Sequence, residues 1–279
     1  MQIAVASGKG GTGKTLISTT LMKVLNDERV VLIDADVEEP NAGLVFNQSP
    51  LTTSVVHRLV PTIDPDYCTL CGDCAAICNF NALVVIPDQV LVFNELCHSC
   101  GACVALCPQS AIRETKHPLG VIEDTLVPGC GTLSTGRLNV GEALSPPLIK
   151  ACKQKAPGAP TRIIDCPPGT TCAMIEAIKG SDYCLLVTEP TPLGRHDLVL
   201  SLEALQLLNI PGGLVINRWQ GNDQYLSDLS RRTGFPILAR IPFSPELARS
   251  YMRGAETLEA MPELRCIMTD IIRQIKEAV

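Results

Sequence analysis

Two stretches of this 279-residue chain carry residue types at spacings that can do chemistry. The first is Gly8-Lys9-Gly10-Gly11-Thr12-Gly13-Lys14-Thr15, which satisfies G-x-x-x-x-G-K-[ST]. Glycines let backbone N–H groups curl round phosphate oxygens, and a helix beginning at Lys14 adds its positive end. Lys14 is then placed to reach β- and γ-phosphates, and Thr15 to offer its hydroxyl to Mg2+. The second stretch is Cys68-x2-Cys71-x2-Cys74-x3-Cys78, repeated as Cys97-x2-Cys100-x2-Cys103-x3-Cys107-Pro108. Three thiols on a tight turn with a fourth close behind, twice over, point to metal or redox chemistry. Zinc takes four thiolates, usually as two separated pairs, which a repeated three-plus-one run does not supply.

These residues need elements to hold them. Residues 2–7 (QIAVAS) form a short apolar run with β character, and 14–25 predict a helix with Leu16, Ile17, Leu21, Val24 and Leu25 at helical spacing. Residues 30–34 (VVLID) have the continuous apolarity of a buried parallel strand. The same pattern returns at 162–165, 184–188, 213–217 and 237–241, with helical segments at 197–208, 223–233 and 264–278. Such alternation predicts an α/β fold, a parallel sheet with helices on both faces.

Residues 61 to 115 break this pattern. No Lys or Arg lies between Leu59 and Ile112, whereas Asp64, Asp66, Asp73, Asp88 and Glu95 do, so most of the net charge of −6 belongs to this stretch. The expected organisation is a nucleotide domain begun in 1–60 and resumed in 116–279, with a small acidic α+β domain inserted at 61–115. Residues 121–147, rich in Gly and Pro, are expected to be loops, followed by a short helix over 147–153.

Composition excludes several classes. With 46% hydrophobic and 19% charged residues the chain is not disordered, and no apolar run reaches the 18 residues of a membrane span. The acidic balance argues against a nucleic-acid partner. The opening MQIAVASGKGG has no basic leader, so a cytoplasmic, reducing location is expected, where 14 Cys are not a disulfide scaffold. The last helical segment has Leu264, Ile267, Met268, Ile271, Ile272 and Ile275 on one face, but its polar face is not strongly basic and it lacks Trp or Phe anchors. Core packing is expected of it, rather than membrane contact.

With its second lysine, Lys9, the glycine-rich loop resembles the deviant loop of the MinD/ParA/Mrp and nitrogenase-iron-protein class of P-loop ATPases. The resemblance extends to 31–41 (VLIDADVEEPN) and 163–170 (IIDCPPGT). It implies that Lys9 reaches the nucleotide of a partner subunit in an ATP-promoted dimer, either a homodimer or a heterodimer with a related ATPase. It further implies that Asp36 positions the attacking water, that Asp165 stands behind Mg2+, and that Gly169 lies near the γ-phosphate. Residues 215–217 (VIN) resemble the strand that presents Asn217 to the base, and 241–245 (IPFSP) the loop that closes over adenine. No N-K-x-D run supports guanine, so ATP is the expected nucleotide.

The two cysteine runs resemble bacterial two-cluster ferredoxins. In that arrangement each run gives three ligands to one [4Fe–4S] cluster and its fourth to the other. The resemblance therefore implies Cys68, Cys71, Cys74 and Cys107 on one cluster, and Cys97, Cys100, Cys103 and Cys78 on the second. Tyr67, Phe80 and Phe93 are expected to shield them. Cys172 stands at the offset after Asp165 where the nitrogenase iron protein places an intersubunit cluster ligand, and Cys130 is a conceivable companion. The plainer reading makes both packing or loop thiols.

Three functions follow as expectations: an ATP-dependent iron–sulfur electron carrier whose partner docks on the acidic insert; an ATPase that assembles or delivers metal centres to a client; and a positioning ATPase with redox-sensing clusters.

Overall fold

The computed structural model describes residues 1–253 and 257–279. In chain order the elements are β1 (Gln2–Ala6), α1 (Lys14–Leu25), β2 (Val30–Asp34), α2 (Ala42–Phe46), β3 (Thr52–Ile63), α3 (Asp73–Ile77), β4 (Leu83–Val85), β5 (Val90–Val92) and α4 (Ala102–Ala105). They continue with β6 (Ile112–Val127), β7 (Gly131–Leu138), α5 (Pro146–Lys153), β8 (Thr161–Asp165), α6 (Cys172–Ile178), β9 (Tyr183–Thr188), α7 (Pro192–Leu207) and β10 (Gly212–Trp219). The last are α8 (Gln224–Thr233), β11 (Ile237–Pro242), α9 (Pro245–Met252), α10 (Thr257–Ala260) and α11 (Glu263–Ala278).

Among the described residues nine strands form one sheet, in the order β11-β10-β9-β1-β8-β2-β7-β6-β3. The strands from β11 to β7 run parallel, and the completely buried β2 and β9 read as continuous apolar runs for that reason. Helices cover both faces. One core joins Leu148 and Ile149 of α5, Met174 of α6 and Leu202 of α7 to Ile33, Ile164 and Leu186. The other joins Ile17 and Leu21 of α1 and Leu264, Met268 and Ile271 of α11 to Ile3, Leu32 and Leu185. The apolar stripe of α11 is thus spent on the core, as the sequence predicts.

The expectation of loops over 121–147 is wrong. β6 and β7 pair antiparallel there, and β6 also pairs with the edge strand β3 from Ile63↔Ile112 to Thr52↔Asp124. The strand signal was masked because much of β3 and β6 faces solvent and carries polar residues. Pro118 sits at a register shift opposite His57, where a missing N–H is tolerated.

Beyond its last pair with β7, Gly120↔Leu138, β6 continues with β3 as a two-stranded stalk, on the order of 20 Å long at ~3.4 Å per residue. β3 runs parallel to β7 and β2, so the stalk leaves the sheet edge at which β1, β2 and β8 end. Residues 64–111, with the short helices α3 and α4 and the β4–β5 hairpin, join its far end and pack back along it, so that Asn94 and Cys97 reach Arg58 near its foot. Two small apolar clusters of their own, around Cys74, Leu83 and Cys103 and around Val60, Ala82 and Cys97, hold that segment together.

Candidate nucleotide site and cysteine centres

The buried β1 delivers the chain to the glycine-rich loop, and α1 begins at Lys14. Gly13 turns the chain into the helix at φ 99°, a conformation costly for any residue with a Cβ. Gly8 is required by contact, since a Cβ there would meet the Asp197 carbonyl oxygen at 2.4 Å. Asn217, at the end of β10, donates from Nδ2 to the Thr12 carbonyl at 2.7 Å and so pins the loop from the side. A cavity of about 430 Å³ opens over the loop, lined by Gly10, Gly11, Gly13, Lys14, Thr15, Asp36 and Asn217. Its far wall is Arg218, Phe243, Ser244, Leu247, Tyr251 and Met252. Of the 241–245 segment, Pro242, Phe243 and Ser244 line the cavity, while Ile241 is buried in the core. Leu247, Tyr251 and Met252, on α9, were missed, because nothing in their spacing separates them from ordinary helix residues.

Three carboxylates gather behind the loop. Asp34 and Asp165 end adjacent parallel strands as register partners. Asp34 is fully buried and accepts N–H groups from Asp36 (3.3 Å), Asn41 (3.1 Å) and Ala42 (2.9 Å), so it braces the chain after β2. Burial, with Asp165 beside it, raises its pKa well above the ordinary range. Burial also pushes Asp165 up to about 6, with Thr15 and Lys14 pulling it back. Asp165 is 1% exposed, and neither of its oxygens receives a well-formed hydrogen bond, the Thr15 and Ser18 hydroxyls lying close enough only to lower its pKa. A buried carboxylate without a well-formed hydrogen bond at a phosphate loop fits a divalent cation better than a structural role. Asp36 reaches the cavity itself, held up to about 6 by burial against the pull of Lys14.

Gly8, Lys9, Thr12 and Gly169 do not line the cavity. Gly169 donates its N–H to the Ser7 carbonyl at 3.1 Å and buttresses the loop, while Pro168 occupies the rim. Lys9 pairs with Glu189, which also accepts from Arg218 at 3.0 Å. Glu189 follows β9 with no motif to announce it.

The eight clustered cysteines gather in two pockets. One is lined by Cys68, Cys71, Cys74 and Cys107, the other by Cys97, Cys100, Cys103 and Cys78. The two runs repeat their backbone as well: Leu70 and Ser99, Gly72 and Gly101, and Asn81 and Ser110 all take positive φ at matching positions. Ala82 and Ala111 donate N–H groups to the fourth thiol of each run, Cys78 and Cys107, both at 3.3 Å, and Ser99 donates to Cys97 at 3.4 Å. Among the described residues no three His, Cys, Asp or Glu side chains converge as a site for a single metal ion. Phe80 lines the second pocket and stacks on His98 at 3.6 Å, whereas Tyr67 and Phe93 line neither; all three rings are exposed. Cys152, Cys166 and Cys184 are core thiols, with Cys152 pushed up to about 12 by burial. Cys130 precedes the start of β7, while Cys172 follows the end of β8, at the opposite edge of the sheet. One chain does not bring those two thiols together.

The fold and the phosphate loop together define a P-loop nucleotide-binding protein. A family profile described as the CobQ/CobB/MinD/ParA nucleotide binding domain matches residues 3–258, and the chain belongs to that family. Among solved structures it is similar to the cell division ATPase MinD of Pyrococcus furiosus, with TM-score 0.55 and 21% identity over 98% of each chain. A second is the septum site-determining protein MinD of Pyrococcus horikoshii complexed with Mg-ADP, with TM-score 0.56 and 18% identity over 99% of this chain and 95% of that one. Among curated proteins it is 36% identical to the uncharacterized protein MJ0578 of Methanocaldococcus jannaschii over 222 residues, 78% of each chain. It is 30% identical to MJ0579 of the same organism over 263 residues, 93% and 92% of the two. An iron-sulfur cluster carrier protein of Rickettsia felis is 24% identical over 252 residues, 88% of this chain and 62% of that protein.

Proposed function

We propose that the chain is an ATP-hydrolysing iron–sulfur protein in which nucleotide-dependent rearrangement of a dimer gates electron passage through two [4Fe–4S] clusters. The observation that carries this reading is the crossed grouping of eight cysteines into two pockets, on a stalk rising from the nucleotide edge of the sheet. Residues 61–115 then act as a ferredoxin-like module. Cys68, Cys71, Cys74 and Cys107 would hold one cluster, and Cys97, Cys100, Cys103 and Cys78 the other, with backbone N–H groups already directed at three of the sulfurs. When bound, such clusters supply one-electron transfer at low potential.

At the nucleotide site, Lys14 and the loop N–H groups bind the phosphates. Thr15 and Asp165 would hold Mg2+, which would neutralise charge on the phosphates. Asp36 accepts a hydrogen bond from the attacking water, and Asn217 fixes the loop under the base. Lys9 leaves Glu189 to reach the nucleotide of a second subunit. Two relatives in one organism favour a heterodimer with a related ATPase as much as a homodimer. A redox partner would dock on the acidic module. Among the described residues no helix is long and apolar enough to cross a membrane.

The second reading, assembly or delivery of iron–sulfur centres to a client, is favoured by the similarity to the Rickettsia carrier protein. Positioning in the manner of MinD is the third, and it would require a surface that α11 does not offer. Anaerobic purification tests the first reading. About eight iron per chain is expected. Lys14→Ala should abolish nucleotide binding and leave the iron in place. Iron that transfers to an apo-acceptor would favour delivery, and a chain that holds no iron would defeat the leading reading.

A further inference from the structure

A buried polar network joins the two halves of the molecule, and neither the phosphate loop nor the cysteine motif accounts for it. Arg58, on β3 at the foot of the stalk, and Glu142, in the loop after β7, form an ion pair at 2.7 Å with side chains 2% and 5% exposed. The Arg58 guanidinium also donates to the carbonyls of Cys97 (2.9 Å) and Asn94 (2.6 Å). The other carboxylate oxygen of Glu142 pairs with Nε2 of His117, on β6, at 2.8 Å. A buried ion pair is seldom a net gain in stability, because desolvation offsets the attraction. Its placement is more telling. The planar guanidinium fork spreads three nitrogens, with Nε and Nη2 on the carboxylate and Nη1 and Nη2 on the carbonyls, and the single nitrogen of a lysine cannot reproduce that geometry.

The connection continues toward the nucleotide. Asp36 lines the nucleotide cavity, and the carbonyl of the next residue, Val37, accepts the Leu138 N–H at 2.8 Å where β7 ends. Asn139 then bonds through its N–H to Leu119 and through its side chain to Pro118, both at 3.0 Å. Glu142 donates its own N–H to the Asn139 carbonyl at 3.2 Å. The segment from Leu138 to Glu142 therefore touches the loop after β2 that carries Asp36 at one end and the Cys97 loop, through Arg58, at the other. Among the described residues the first cysteine set has no comparable tie. It lies at the far end of the stalk beside Ile63 and Ile112, where the nearby ion pair is the exposed Arg113–Asp64 at 3.1 Å.

We infer that Arg58, held by Glu142, is a positioning residue for the second cysteine set, and that through it the nucleotide state acts on the Cys78/Cys97/Cys100/Cys103 centre and not on the Cys68 centre. The inference rests on the iron–sulfur reading above. It gives the module a polarity: the near centre answers to the ATPase, and the far centre faces the external redox partner.

The test uses full-length protein purified anaerobically with its iron. Each centre is followed by electron paramagnetic resonance during a redox titration, with and without Mg-ATP. Cys100→Ser and Cys71→Ser tell the two signals apart. In the wild type, Mg-ATP should shift the midpoint of the signal that Cys100→Ser alters. Glu142→Gln, which keeps the shape but removes the charge and turns one acceptor into a donor, should lose that shift while iron content and nucleotide affinity stay within about twofold. Arg58→Lys should lose it too, and Glu142→Asp should restore part of it. Amide exchange across 94–101 should slow on Mg-ATP binding in the wild type and not in Glu142→Gln. A shift of wild-type size in Glu142→Gln, a shift at the Cys71 signal instead, or no shift in an iron-replete wild type would each overturn the inference. A wild type that holds no iron would instead bring down the iron–sulfur reading beneath it.

Discussion

Asp165 is the residue whose environment says most about its task. Its carboxylate is buried, without a well-formed hydrogen bond, and raised to about 6, above its usual value near 4. A group that binds its proton more tightly in the folded chain stabilises that chain fully at low pH. The contribution fades as pH rises from about 4 through 6. At pH 7.5 without nucleotide, Asp165 is therefore a stored cost that a cation would relieve. Asp165→Asn should raise the melting temperature of the nucleotide-free protein at pH 7.5 by a few degrees, on the order of 1–3 kcal/mol, and the gain should shrink toward pH 4. The same variant should lose Mg2+-dependent nucleotide binding. Calorimetry across pH, paired with nucleotide titration, checks both, and equal melting curves at every pH would refute the role.

At the level of elements, the glycine-rich loop depends on what is packed behind it. Gly8→Ala places a methyl group against the Asp197 backbone of α7, which cannot rotate away as a side chain could. The loop should shift and nucleotide affinity should fall at least tenfold, with the melting temperature changed far less, as fluorescence titration and calorimetry would measure. The loop and the strands around it were legible in the sequence because their signals are local: a motif between a strand and a helix, and buried runs such as 30–34. The cysteine spacing was legible for the same reason. β6, β7 and their junction with β3 were not, because partners from Thr52 to Asp124 meet only in three dimensions and their exposed faces look like loop. Glu189, Tyr251 and the Arg58–Glu142 pair were hidden likewise. Each is defined by a neighbour far along the chain.

At the scale of the whole molecule, the chain reads as an ATPase sheet with a detachable tip. Ile63 and Ile112 are register partners, so a two-residue Asn-Gly turn can replace 64–111 and close β3 onto β6 as a hairpin. Both large cores lie in the sheet and its helices. The shortened chain should fold and bind nucleotide while holding no iron, by circular dichroism, titration and metal analysis. In the proposed function the nucleotide cavity regulates the two cysteine pockets. That coupling is tested most directly by the rate at which iron-replete protein is reduced by a low-potential donor in the presence of ATP, ADP or no nucleotide. If the dimer gates the clusters, the ATP rate differs from the other two, and Lys14→Ala removes the difference; identical rates in all three conditions would contradict gating.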